Sequence, residues 1–327
     1  MPTTTMPTIP ALASALTGVE DEIRKLATSS TVPIVNSFSG RITAAGGKRL
    51  RSVVMLAGSL ALSGEIPDKA VTAAACVELL HAGSLVHDDL MDNAVERRGV
   101  PTVNAEWGPG PAVLVGDFML ARASQAALES ISPYAAGKLA AAVTDLVEGQ
   151  VLEVLDLYDV HRSPDSALRS VALKTGALFR VGCVLAAHCA AASDEVATRL
   201  SEYGAHFGLL FQILDDLLDL TSSVERLGKP VGNDIRQGVY TFPLLRSLTE
   251  EQRELLAARG GTWEDGELAG LLAGLRAGGM VAETVAYCRS LAEQTARALP
   301  EVPESEALGI LRQLPVAYLE WAVSQIS

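Results

Sequence analysis

The sequence predicts an all-α fold of ten or more helices. Alanine and leucine are abundant while aromatic residues make up only 5%, and the β-branched alternation of strands is hard to find. Hydrophobic residues make up 49% of 327, enough to bury a large core. No linker divides the chain, and no unit of about 30 to 45 residues repeats as in a solenoid. A single helical domain over 11–327 is expected, behind a Thr/Pro-rich flexible tail over 1–10.

Taken in order, Leu12, Leu16, Val19, Ile23 and Leu26 keep helical spacing until 28–33 breaks it. A second helix ends near Gly46-Gly47, and the basic cluster Lys48, Arg49, Arg51 leads into an apolar stretch over 53–62. Pro67-Asp68 starts a helix that runs to a first acidic cluster, and 93–109 is a polar connection rich in turn residues. Pro111 opens another apolar helix, Ser132-Pro133 the next, and Ser163-Pro164 one that carries Lys174 and Thr175 through to Ala192. After the Ser193-Asp194 cap the chain climbs to a second acidic cluster, and 221–238 is a loop with Gly228-Lys229-Pro230. From Tyr240 onward, shorter helices are broken at Gly260-Gly261, Gly278-Gly279, Pro300 and Pro303, with no chemical signature.

The formal net charge of −13 argues against a nucleic-acid partner, so any phosphate binding must rest on local cations. Cys76, Cys183, Cys189 and Cys288 show no C-x-x-C spacing and read as buried thiols in a reducing compartment. The opening segment lacks the basic start and apolar run of a signal peptide. The longest apolar run, 181–192, is too short for a bilayer and is interrupted by His188, so a soluble, cytoplasmic protein is expected.

The chemistry concentrates in two clusters of one spacing, Asp88-Asp89-Leu90-Met91-Asp92 and Asp215-Asp216-Leu217-Leu218-Asp219. On a helix Asp88 and Asp92 share a face one turn apart, as do Asp215 and Asp219. Like charges this close need a strong cation between them, and hard oxygen ligands suit Mg²⁺, which shares its shell with water and phosphate. The pair therefore reads as a diphosphate clamp. Below Asp88, His81 and Glu78 continue a polar stripe that needs partners. Below Asp215, Gly208 and Gly204 leave room for another backbone or a ligand tail.

Together with Gly46 through Arg51, the stretch 81–99, Gly116-Asp117-Phe118, Lys174-Thr175-Gly176 and the stretch 208–243, these clusters give a resemblance. The chain resembles the all-trans polyprenyl diphosphate synthases, also called the trans-isoprenyl diphosphate synthase family. The resemblance implies an isoprenoid-synthase-type bundle around a central cavity, with the two aspartate helices facing each other. It implies Mg²⁺-dependent head-to-tail condensation of isopentenyl diphosphate with an allylic diphosphate. By resemblance, Asp88 and Asp92 bind Mg²⁺ on one side of the allylic diphosphate and Asp215 on the other. Asp89, Asp216 and Asp219 lie beside them, with roughly three Mg²⁺ per site. Arg97, Lys174 and Lys229 complete the clamp, and Thr175 and Gln212 donate hydrogen bonds. Lys48, Arg51, His81 and Arg98 match the isopentenyl diphosphate site. No general base is assigned, because in the family the last proton leaves to the released diphosphate. Gln150, Asp117 and Tyr240 fall in matching segments as supporting residues. A homodimer and peripheral membrane contact for product release are the expected partners.

Taken singly, Lys174 and Thr175 also fit ordinary helix positions, and the run 48–51 fits a solvated helix start. The Gly46-Gly47 turn favours anion binding. His87 fits a neighbour locked to a carboxylate. A class I terpene cyclase shares the first motif, but aromatics are few and the second motif is aspartate-rich. A length-setting subunit of a heteromeric synthase would be expected to lose aspartates, and here both motifs are whole. Two departures from the family are the non-basic C-terminus, 324–327, and Phe242 where a smaller residue is common. In the family a bulky aromatic four or five residues before the first aspartate stops the growing chain. Ser84 and Gly83 occupy those positions, with Leu80, Val77 and Cys76 below them as tunnel wall. A product longer than geranylgeranyl diphosphate is expected, in the hexaprenyl to nonaprenyl range, with geranylgeranyl diphosphate as the alternative.

Overall fold

Serine and proline set most of the helix starts. The computed structural model describes residues 9–222 and 231–326. It opens with α1 (Pro10–Ala27), α2 (Pro33–Ala44), α3 (Leu50–Ser63) and α4 (Asp68–Met91). A two-stranded hairpin, β1 (Glu96–Arg97) and β2 (Val100–Pro101), leads to α5 (Val103–Trp107), α6 (Pro109–Ser130) and α7 (Pro133–Leu155). Then come α8 (Pro164–Val171), a π-helical turn over Ala172–Gly176, α9 (Ala177–Cys189) and α10 (Asp194–Thr221). The chain finishes with α11 (Asn233–Gln237), α12 (Phe242–Ser247), α13 (Glu250–Arg259), α14 (Asp265–Ala277), α15 (Met280–Arg297) and α16 (Glu306–Ser324). Ser132, Ser163 and Ser193 each accept a backbone N–H of the first turn, satisfying donors the helix cannot pair itself.

Several boundaries depart from the sequence reading. Pro10 is already the first residue of α1 and Ile9 its N-cap, and the rest of the expected tail, 1–8, lies outside the described residues, as does Lys229. Helix α6 begins at Pro109 rather than Pro111. The polar connection over 93–109 holds the hairpin and α5. Its turn residues Arg98 and Gly99 both have positive φ, 54° and 77°, the backbone a two-residue hairpin turn requires. Part of the expected loop after the second aspartates is α11.

Helix α4 lies at the centre and is packed by α1, α3, α6 and α9. Ala73 to Leu80 are all buried, so it is apolar nearly all round. Asp68–Met91 and Pro164–Cys189 are long and apolar enough by composition to cross a bilayer, yet 67% of each window is buried inside the bundle. All four cysteines are buried free thiols, and burial pushes the Cys76 thiol up to about 12. Close helix contact explains Gly204 and Gly208. A Cβ on Gly204 would lie 2.6 Å from the Phe179 carbonyl oxygen, and one on Gly208 would lie 2.7 Å from the Gly176 Cα. The room below Asp215 is filled by the α9 backbone. Phe242 is buried against Tyr287, with ring centroids 4.7 Å apart.

Candidate active site

A cavity of about 1680 Å³ opens between α3, α4, α7, α10 and α16. Both aspartate motifs reach it, through Asp88 on α4 and Asp215 on α10. The same wall carries Lys48, Arg51, His81, Arg97, Arg98, Lys174, Thr175 and Gln212, residues scattered over much of the sequence.

On the α4 side, Asp89 is buried and turned to the hairpin, accepting a 2.7 Å hydrogen bond from Arg97 Nε. Asp88 and Asp92 have no side-chain hydrogen bond or ion pair among the described residues. Burial pushes the Asp88 carboxyl up and Asp92 adds to the shift, while the nearby Lys174 ammonium opposes it. Lys174 itself donates to Glu153 of α7 at 2.8 Å. It sits in the π turn, whose extra residue brings its backbone N within 2.6 Å of where a Cβ on Gly149 would stand. Glycine at 149 is what lets α7 approach.

On the α10 side the polar groups form a relay. Thr175 Oγ1 donates to Gln212 Oε1 at 2.8 Å, and Gln212 Nε2 donates to Asp216 Oδ1 at 2.8 Å. Asp216 is buried, and burial raises its carboxyl well above the usual range, with Asp234 next in effect. Asp219 is buried too and accepts the Asp234 backbone N–H at 3.2 Å. The motif thus divides its labour: Asp215 faces the cavity, Asp216 accepts from Gln212 of its own helix, and Asp219 ties α10 to the start of α11.

The third wall is cationic. Arg49 takes left-handed backbone, φ 48°, before the first turn of α3. Its guanidinium pairs with Glu20 at 2.6 Å and with Glu78 at 3.3 Å. Glu78, 3% exposed, also accepts the Ser52 N–H and hydroxyl, at 3.2 Å and 2.9 Å. This answers the question of what satisfies the polar stripe under Asp88. Arg51, Lys48 and Arg98 have no ion-pair partner among the described residues. Burial lowers the Arg51 guanidinium from its ordinary value, and Arg98 adds to the shift. His81 is reached from the cavity but walled by protein. Burial and the guanidinia of Arg51 and Arg98 hold it well below its usual value, so it is neutral.

The expected tunnel wall is placed differently. Ser84 lines the cavity, but Gly83 is buried against α6. A Cβ there would lie 3.1 Å from the Gly116 carbonyl oxygen and 3.1 Å from Met119 Cβ. Leu80, Val77 and Cys76 are fully packed in the core and away from the cavity. The apolar wall below the aspartates comes instead from Leu120 of α6 and Val143 and Leu146 of α7.

His87 turns to α6, where its Nε2 lies 3.5 Å from Asp117 Oδ1 and 3.2 Å from the Val113 carbonyl oxygen. Asp117 and Gln150 reach the cavity, whereas Tyr240 does not. Glu78 belongs to the polar stripe marked in the sequence, whereas Glu153, Glu20 and Trp321 are site neighbours the sequence reading did not identify. Each pairs with a residue far away in sequence, so no local spacing marks it. Among the described residues, no three acidic, histidine or cysteine side chains come together as a ready-made metal cage. The donor set suits instead a hard cation that takes one or two carboxylates from each side and completes its shell with ligand oxygens.

Known proteins supply the same picture from outside. The polyprenyl synthetase family model matches residues 32–267. The chain is 32% identical over 304 residues, 93% of its length and 94% of the relative's, to heptaprenyl diphosphate synthase component 2 of Geobacillus stearothermophilus. It is 35% identical over 284 residues, 85% and 86% of the two lengths, to an all-trans-nonaprenyl-diphosphate synthase (geranyl-diphosphate specific) of Rhodobacter capsulatus. Its fold is similar to that of a polyprenyl synthase from Caulobacter crescentus CB15 complexed with calcium and isoprenyl diphosphate. The TM-score is 0.88 with 30% identity, covering 96% of each chain. A matched segment holding both aspartate motifs, and likeness along nearly the whole chain, lead to one conclusion: the chain belongs to the polyprenyl synthetase family.

Proposed function

We propose that this protein condenses isopentenyl diphosphate head-to-tail with an allylic diphosphate, building an all-trans polyprenyl diphosphate longer than geranylgeranyl. The observation that carries the reading is that Asp88, Asp215 and a set of cations without carboxylate partners line one cavity with an apolar extension. Lys48, Arg51 and Arg98 take the diphosphate that is kept, and neutral His81 offers a hydrogen bond without adding charge. Lys174 and Arg97 face the diphosphate that leaves. Asp88, Asp92 and Asp215 would hold magnesium, which when bound neutralises charge developing on the leaving oxygens. The walls keep water from the allylic cation as the C–O bond breaks and the isopentenyl double bond attacks. The final proton passes to the released diphosphate.

The cavity exceeds the ~300–1,000 Å³ of ordinary small-molecule pockets, and Ser84, Leu120, Val143 and Leu146 leave it a small or aliphatic lining. The names of the heptaprenyl and nonaprenyl relatives support a long product. Val147 and Val151 both line the cavity and are 58% and 50% exposed, so the wall at α7 lacks a cover. A second copy of this chain is the proposed cover. The relative called component 2 favours a different second chain as the alternative.

The test is incubation of the purified chain alone with isopentenyl diphosphate, each allylic primer in turn and Mg²⁺, with chromatography of the dephosphorylated products. Long-chain polyprenol that disappears with a chelator is expected. No product without an added partner protein points to a heteromer, and only geranylgeraniol overturns the length.

A further inference from the structure

The C-terminal helix reaches into the cavity. Trp321 and Gln325 line it, and the Gln325 carbonyl oxygen accepts the Ser222 hydroxyl at 3.3 Å, tying the end of α16 to the end of α10. Lys48 Nζ stands 4.3 Å from the centre of the Trp321 ring. Lys48 is exposed, on the turn after Gly46-Gly47, and has no ion-pair partner among the described residues. The indole is itself held. Tyr318 lies 5.4 Å from it, and Phe211 stacks on Tyr318 at 5.3 Å, one turn before Asp215 on α10. The neighbouring cation repeats the pattern, with the Arg51 guanidinium 4.9 Å from the centre of the Phe179 ring.

An aromatic face attracts a cation through its quadrupole and carries no net negative charge. A carboxylate in the same place would neutralise Lys48 and repel an incoming diphosphate. The ring holds a long, flexible side chain near the cavity while leaving its charge available. We propose that Trp321 is a positioning residue for isopentenyl diphosphate: its indole holds the Lys48 ammonium over the cavity until the diphosphate takes it. The residue lies outside the matched family segment, 32–267, and in the C-terminal part that sequence inspection left without chemistry. The inference rests on the proposed isopentenyl diphosphate site.

The test compares Trp321→Leu, which keeps apolar bulk and removes the ring face, with Trp321→Phe, which keeps a face. Thermal unfolding of each confirms the fold. Trp321→Leu is expected to raise KM for isopentenyl diphosphate about tenfold, equivalent to ~1.4 kcal/mol, with a much smaller change in KM for the allylic primer. Trp321→Phe is expected to recover most of that loss. In a Lys48→Met background Trp321→Leu should add little, because the contact it removes is already gone. A second readout needs neither turnover nor metal: isopentenyl diphosphate titrated into the free protein should change tryptophan fluorescence saturably, and Trp321→Phe and Lys48→Met should each abolish the change. A normal KM in Trp321→Leu, equal losses in the Leu and Phe variants, additive loss with Lys48→Met, or equal rises in both KM values overturns the inference. If the wild type fails to condense the substrates, the proposed function fails, and the titration alone decides whether Trp321 and Lys48 meet the ligand together.

Discussion

Two sets of cations lining the same cavity are held in opposite ways. Lys174 and Arg97 each rest on a carboxylate, Glu153 at 2.8 Å and Asp89 at 2.7 Å. Lys48 and Arg51 rest on aromatic faces, Trp321 and Phe179. The difference matches the two tasks. Under the proposed function, the diphosphate that leaves would have bound metal ions to carry its developing charge, and the cations beside it are fixed by carboxylate partners. The diphosphate that stays would be bound by cations alone, and Lys48 and Arg51 have no carboxylate ion-pair partner among the described residues. Arg49, lying between Lys48 and Arg51, makes the contrast sharper. Its ion pairs with Glu20 and Glu78 spend its charge on shaping the turn that presents the other two.

The largest expected effect tests the carboxylate wall. Asp88→Ala or Asp215→Ala should lower kcat by about 10²–10³ or more, the scale of losing one preorganised electrostatic stabiliser. The Asp88 variant should unfold no more easily than wild type, because burial already disfavours that carboxylate. Steady-state turnover and thermal melts measure both, and wild-type turnover in either variant would remove the metal assignment. Arg51→Met tests the other wall. It should raise KM for isopentenyl diphosphate by roughly 10- to 100-fold, as for lost hydrogen bonds to charged groups, and move KM for the primer far less. Equal shifts in both constants would mean that the two walls are not separate sites.

Below the aspartates, the comparison is between adjacent residues on α4. Ser84 faces the cavity and Gly83 faces α6. Ser84→Phe should therefore shorten the product by placing a ring in the wall one turn, ~5.4 Å, below Asp88. Gly83→Ala should leave product length unchanged and destabilise the fold by about 1–3 kcal/mol, since its Cβ meets the Gly116 backbone. Product chromatography and denaturant melts separate the two outcomes. Shortening by Gly83→Ala at unchanged stability would reverse the assignment of faces.

These neighbours also mark how far the sequence could be read. The all-α fold, the helix starts at Pro133, Pro164 and Asp194, and the meeting of Asp88 with Asp215 were legible, because caps and the i, i+4 spacing of carboxylates are local chemistry. Periodicity shows which residues share a face, but not which neighbour covers that face. Gly83 was therefore assigned to the tunnel when α6 packs against it, and Leu80, Val77 and Cys76 with it. The hairpin over 96–101 escaped notice because its strands are two residues each. Glu153 and Trp321 were invisible, and the partners of Glu78 with them, because those partners come from other parts of the chain. Lys229 lies outside the described residues.

The smallest expected effect concerns His81, the neutral member of the proposed isopentenyl diphosphate wall. Burial, then Arg51 and Arg98, hold His81 well below its ordinary value of 6.5. Unfolding releases the ring to water, so below pH 6.5 the unfolded chain binds a proton that the folded chain refuses. A depressed folded value means that His81 costs no stability above pH 6.5 and progressively more as pH falls toward the folded value. The other titrating groups act in wild type and in His81→Gln alike, so the difference between the two isolates the ring. Relative to its value at pH 7.5, wild-type unfolding free energy should fall progressively below that of His81→Gln as pH drops below 6.5. Denaturant melts of the ligand-free protein measure it. Parallel profiles would show that the fold leaves His81 at its ordinary value of 6.5, and below that pH the proposed isopentenyl diphosphate wall would then hold one more charge than Lys48, Arg51 and Arg98 supply.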